Sequence, residues 1–202
     1  MSLMSTYEQN ALLAAEFNGT APTLPADFYV ALYIASLGEY VSGLTTTLGA
    51  TILPSTPNNR IYKVTTVGSP ATTPATEPTW PTVDGGTVTD ANGNVWTEQT
   101  PSIKAGTINE ASGGGYARQA VANTSANWTL TTNSIGNKNV TNAGTISFGS
   151  VTANLGWVGA VVLFDALTAG NLRYIAEQMT PQNVVSGNTP QFAPGTLNFI
   201  GS

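Results

Sequence analysis

The sequence predicts an all-β protein, an antiparallel β-sandwich that carries a short N-terminal helix and a small inserted β module. Three observations predict it. Val, Ile, Thr, Tyr and Trp are plentiful, and they suit pleated, half-buried surfaces. Short apolar runs recur at regular spacing, separated by Gly, Asn and Pro. Only one segment has the apolar spacing and the start and stop residues of a helix.

That segment opens the chain. Ser5 or Thr6 can cap it, Glu8 stands three residues after Ser5 as a capping box requires, and Gly19 ends it. Tyr7, Ala11, Ala14 and Ala15 fall on one narrow face, suited to packing on a sheet or a neighbouring subunit. Residues 27–36 then alternate, with Phe28, Val30, Leu32 and Ile34 set against Tyr29, Ala31 and Tyr33, which predicts a strand buried on at least one side. Residues 41–59 lack a period and read as loop.

Residues 60–99 read as a separate small module, leaving 1–59 and 100–202 as one discontinuous main domain. The module has a strand at 61–67, a Pro/Thr loop and a closing hairpin. In that hairpin Val88 and Val95-Trp96 flank Asp90-Ala91-Asn92-Gly93-Asn94, and Asn-Gly is a strong hairpin signal. So short a module buries little by itself and is expected to lean on its host or on neighbouring copies. Further strands are expected at 116–121, 128–132, 144–148, 156–165, 172–178, 182–185 and 196–200. The run 155–167, with Trp157 and Phe164, is expected to be the central buried strand.

The 202 residues hold six Lys+Arg against eleven Asp+Glu, a net charge of -5 with no basic cluster, so a nucleic-acid partner is not expected. The chain has no Cys and no His. That excludes disulfides, Ser-His-Asp and Cys-His hydrolases and ordinary zinc enzymes. Glu39, Glu77, Glu98 and Glu177 are scattered without a spacing that argues a glycosidase pair. No catalytic residue, cofactor or metal site is expected. The N-terminus lacks a signal-peptide pattern, and the most apolar stretch is far short of the roughly 20 residues that span a bilayer, so no membrane partner is expected and synthesis is placed in a host cytoplasm.

Two motifs mimic ligand loops. Gly113-Gly114-Gly115 lacks the Lys-Ser/Thr of a phosphate loop and is expected to be a tight bend that lets the backbone approach a neighbour. Arg118 is then aimed at a carboxylate such as Glu110 or Asp165. Asp90 to Asn94 resembles the start of a calcium loop, but Gly93 falls at the fourth position and Ser102 stands where a bidentate Glu is required, so a plain turn is expected. Tyr62, Trp80 and Trp96 could form an aromatic platform for sugars, rimmed by Asp84, Asp90 and Asn92. So small a module needs its large residues for a core, so packing and ordinary turns are the roles expected of these residues.

The order of a short helix, the strand Phe28-Tyr29-Val30-Ala31-Leu32-Tyr33, the turn Gly113-Gly114-Gly115-Tyr116-Ala117-Arg118-Gln119, then Trp157-Val158-Gly159 and Phe164-Asp165-Ala166, resembles a family of small tailed-phage virion proteins. The closing Ser186-Gly187-Asn188-Thr189-Pro190-Gln191-Phe192-Ala193-Pro194-Gly195 continues that likeness. Such proteins are labelled tail-fibre-like or capsid-decoration proteins. Residues 60–99 lie outside the likeness and loosely resemble carbohydrate-binding modules. The resemblance implies a non-enzymatic virion-surface protein, foremost a homotrimeric decoration or cement protein whose partners are the major capsid protein and itself. Its alternative is a tail-fibre or baseplate protein that binds a host-surface polysaccharide through the module, with Tyr116 and Arg118 assigned to assembly and turn formation in either case.

Overall fold

The computed structural model describes residues 4–107, 109–132, 138–176 and 180–201. Helix α1 spans Thr6–Asn18 and is followed by strands β1 (Asp27–Ala35), β2 (Thr51–Ile52), β3 (Tyr62–Thr66), β4 (Thr87–Thr89) and β5 (Val95–Glu98). A short helix α2 (Thr100–Lys104) precedes β6 (Gln119–Ala122), β7 (Trp128–Thr132), β8 (Lys138–Asn142) and β9 (Ile146–Ser147). Strands β10 (Gly156–Phe164), β11 (Leu172–Ile175), β12 (Gln182–Val184), β13 (Gln191–Phe192) and β14 (Asn198–Gly201) complete the chain. Pairings between these strands are antiparallel, as the all-β reading requires.

The central sheet runs β11-β10-β1-β6, with β12 also on β10. Its long pair, β1 with β10, places Val30, Leu32 and Ile34 opposite Leu163, Val161 and Val158 on one face. These pack against Trp128, Ile146, Phe192 and Phe199 from the β14-β8-β7 and β13-β9 sheets, and against Phe148 just after β9. The other face, with Ala31, Tyr33, Val162 and Phe164, covers Leu53, Ile61 and Ile103. The alternation in β1 thus sets two apolar faces against two neighbours, so the strand is enclosed on both sides. The register slips between Tyr33 and Ile34, whose partners are Ala160 and Val158, and leaves Gly159 in the bulge. A Cβ there would lie 2.8 Å from Leu53 Cδ2 and 2.9 Å from Ile61 Cδ1, so the missing side chain is what lets these residues seat on the sheet.

The β2-β3-β5-β4 sheet encloses its own apolar cluster of Tyr40, Ala50, Ile52, Tyr62, Val64 and Trp96. This corrects the reading of residues 41–59 as loop, since Ala50 and Ile52 enter that core and Thr51–Ile52 pairs with β3. The segment has no period because turn-like backbone bonds shape it, Gly49 N–H to Val64 C=O and Leu53 N–H to Gly38 C=O, both 2.9 Å. A sheet this small gathers its core from chain that precedes it.

Strands β7, β10 and β12 stand close to their expected places. Strand β8 was not expected, because Val140 is its one apolar residue. The expected strand at 172–178 is observed to Ile175, and residues 177–178 lie outside the described set. At α1, Ser5 Oγ accepts from the Glu8 N–H as a cap should. The Glu8 carboxylate does not complete the box. It pairs with the buried Arg173 guanidinium and accepts from the Tyr174 hydroxyl, and it is the helix's one buried side chain. The expected Ala face is therefore only partly covered, while Leu13 and Phe17 face outward.

Candidate functional site

Three places in the fold carry the residues singled out by the sequence or gather apolar surface. The first is the glycine bend. Gly113, Gly114 and Gly115 have φ of 75°, 57° and 79°, a run of left-handed conformations that side chains resist. A Cβ on Gly114 would meet Ala153 N at 3.0 Å, and Thr152 N–H donates to Gly114 C=O at 2.8 Å. The neighbour that the bend approaches is thus the chain's own 150–153 loop. Strand β6 follows the bend, so it lacks the helix N-terminus on which a phosphate loop depends.

The residues after the bend form a clamp. Tyr116 stacks on Phe148 at 5.8 Å, donates to Glu110 Oε1 at 3.1 Å and accepts from the Leu32 N–H at 3.0 Å. Burial pushes the Tyr116 phenol well above its ordinary range. Arg118 takes Glu110 in a two-pronged pair at 2.9 and 2.8 Å and donates to the Ala166 and Ala169 carbonyls. Its guanidinium carbon lies 3.6 Å from the centroid of the Phe164 ring. Of the two carboxylates named for Arg118, Glu110 is its ion-pair partner. Asp165 instead lies 3.6 Å from Arg173. Each donor of the clamp binds within the chain, so the arrangement stiffens the join between β1, β6 and β10.

The second place is the module's aromatic box. Tyr62 and Trp96 are completely enclosed, which removes both as faces of a sugar platform. Trp80, half-buried, closes the box with centroids 4.4 Å from Tyr62 and 5.7 Å from Trp96, its indole N–H on Glu77 at 2.6 Å. The expected polar rim also turns inward. Asp90 Oδ1 accepts from the Asn92 and Asn94 backbone N–H groups, and Oδ2 accepts from Asn94 Nδ2 and Trp96 Nε1. Two N–H donors on each oxygen occupy the Asp90 lone pairs, so the carboxylate serves as the acceptor that folds the turn. Asn92 Nδ2 donates to the Thr72 carbonyl. Asp84 pairs with Arg60 at 3.0 Å and Lys104 at 3.2 Å. Burial alone would raise the Asp84 pKa, but the hydrogen bonds from these two cations outweigh it and hold the carboxyl below its usual range.

The third place escaped the sequence reading. A groove of about 650 Å³ opens beside α1, lined among others by Leu24, Phe28, Trp128, Leu130 and Val140. On the same helix Leu13 is 57% and Phe17 78% exposed. The only available signal was that Leu12, Leu13 and Phe17 lie off the Ala-rich face, where a helix covered by its own fold would carry polar residues.

No curated protein matches the chain. The family model described as podophage GP4 fiber I protein gp80 matches residues 95–200. The match begins at the first residue of β5, takes in the bend and the Arg118 clamp, and runs from β6 into β14, while most of the module, β1 and α1 precede it. It covers more than half of the 202 residues and includes the paired strands β10 and β11 of the central sheet. The chain therefore belongs to the family of podophage GP4 fiber I protein gp80, a family of phage virion structural proteins.

Proposed function

We propose that the protein is a non-catalytic building block of a phage fibre, exposed on the particle and working by adhesion between stiff β units. The match of residues 95–200 to a fibre family carries the reading. The sequence had favoured a trimeric shell decoration bound to the major capsid protein. The family's description favours the fibre over the shell, and the enclosed rings of Tyr62 and Trp96 take away the support for sugar contact through the module.

The carboxylates support a structural role. Glu77 accepts from Ser55 and Trp80, Glu98 from Gly85, Thr100 and Arg60, and Glu110 from Tyr116 and Arg118. Groups committed to such bonds hold segments together and are poorly placed to move protons for a substrate. Glu177 lies outside the described residues.

Copy number and position on the particle test the proposal. Immunolabelling and quantitative electrophoresis of purified virions are expected to find a few symmetric sets at fibres. Hundreds of copies spread over the shell would return the decoration reading, and absence from virions would end both.

A further inference from the structure

We propose that the groove beside α1 seats a second copy of this chain, which inserts the outward stripe of its own α1. The inference deepens the fibre reading and rests on it only in expecting copies to meet. The stripe is Leu13 and Phe17, four residues apart and so neighbours on the helix surface. Short helices in proteins take most of their stability from covering an apolar face. Here the 13-residue α1 buries only Glu8 and leaves its largest apolar side chains in water.

The stripe cannot fill the groove of its own molecule. Leu12 of the same helix already forms part of the groove wall, and neither Leu13 nor Phe17 lines it. A second copy offers a stripe that fits, and the charges favour it. Among the described residues Lys138 is the one charged residue lining the groove, and Glu16 stands beside Phe17 on the helix. Among the described residues neither Glu16 nor Lys138 forms an ion pair. When α1 of one copy enters the groove of another, apolar stripe meets apolar wall and Glu16 can meet Lys138.

Sedimentation velocity of the full chain tests this, with circular dichroism melts to show that each variant folds. The wild type is expected to self-associate at concentrations up to about 100 µM. Phe17→Asp, at an exposed position, is expected to weaken association by about a hundredfold. Glu16→Lys and Lys138→Glu are each expected to weaken it roughly fivefold, and the double reversal to restore it. Association indifferent to Phe17→Asp, or a double reversal that restores nothing, overturns the proposal. A wild type that stays monomeric while virions still contain it gives the groove to another virion component and overturns the proposal too, yet leaves the fibre reading intact.

Discussion

Replacing Glu8 with Ala is expected to release α1 while leaving the β framework intact. The Glu8 and Arg173 side chains are only 3% and 2% exposed, so removing the carboxylate strands a buried cation. Such a loss costs about 3–5 kcal/mol. The lower end applies here, because Asp165 Oδ2 stays 3.6 Å from Arg173 Nη1 and the Thr23 carbonyl 3.4 Å away. Since Glu8 is the one buried side chain of α1, the helix can undock with little apolar loss, and an isolated 13-residue helix is marginal in water. Arg173 then reaches solvent, and the penalty appears as local opening. Hydrogen exchange read by mass spectrometry in dilute solution is expected to show the amides of α1 exchanging about a hundredfold faster, with those of β1 and β10 unchanged. Unaltered protection of α1, or equal acceleration in β1, would refute the reasoning.

Asp90→Ala is expected to lower stability by about 3 kcal/mol in urea titration, because the buried carboxylate serves four N–H donors, and added calcium or chelator is expected to leave the wild-type midpoint unmoved. Gly159→Ala is expected to cost about 1–3 kcal/mol in the same assay, since the new methyl meets Leu53 and Ile61 below 3.0 Å. The depressed Asp84 carboxyl contributes stability that is complete above its ordinary pKa of 3.8 and lost as pH falls through the lower folded value. Asp84→Asn is therefore expected to flatten the acid limb of a melting-temperature profile below about pH 4. The effect is small because the side chain is a third exposed.

Strands made of near-continuous apolar runs were legible, β1 and β10 above all, and β7 begins at the expected Trp128. Strand β8 was not, because a polar residue anchors it. Buried Asn142 donates to the Gly144 and Ala193 carbonyls and accepts from the Leu197 N–H, a role that no hydropathy pattern marks. The same limit governed the ion pairs. Arg118 and Glu110 lie eight positions apart beside a glycine bend that announces a reversal, so their meeting could be foreseen. Glu8 and Arg173 lie 165 positions apart, and the capping motif gave Glu8 a local role that the fold overrode. For Tyr62 and Trp96 the module's small size already favoured a core over a platform, but that Ala50 and Ile52 would complete that core was not legible, because residues 41–59 have no period.

The pairing of β1 with β10 also sets an order of events during synthesis. Residues 27–35 leave the ribosome long before residues 156–164, so for most of translation the future middle of the molecule has no mate. The β2-β3-β5-β4 sheet closes over a far shorter span and can form while the ribosome is still adding the C-terminal half. Leu53 and Ile61, which follow β2 and precede β3, are then at hand to cover one side of β1 before β10 arrives.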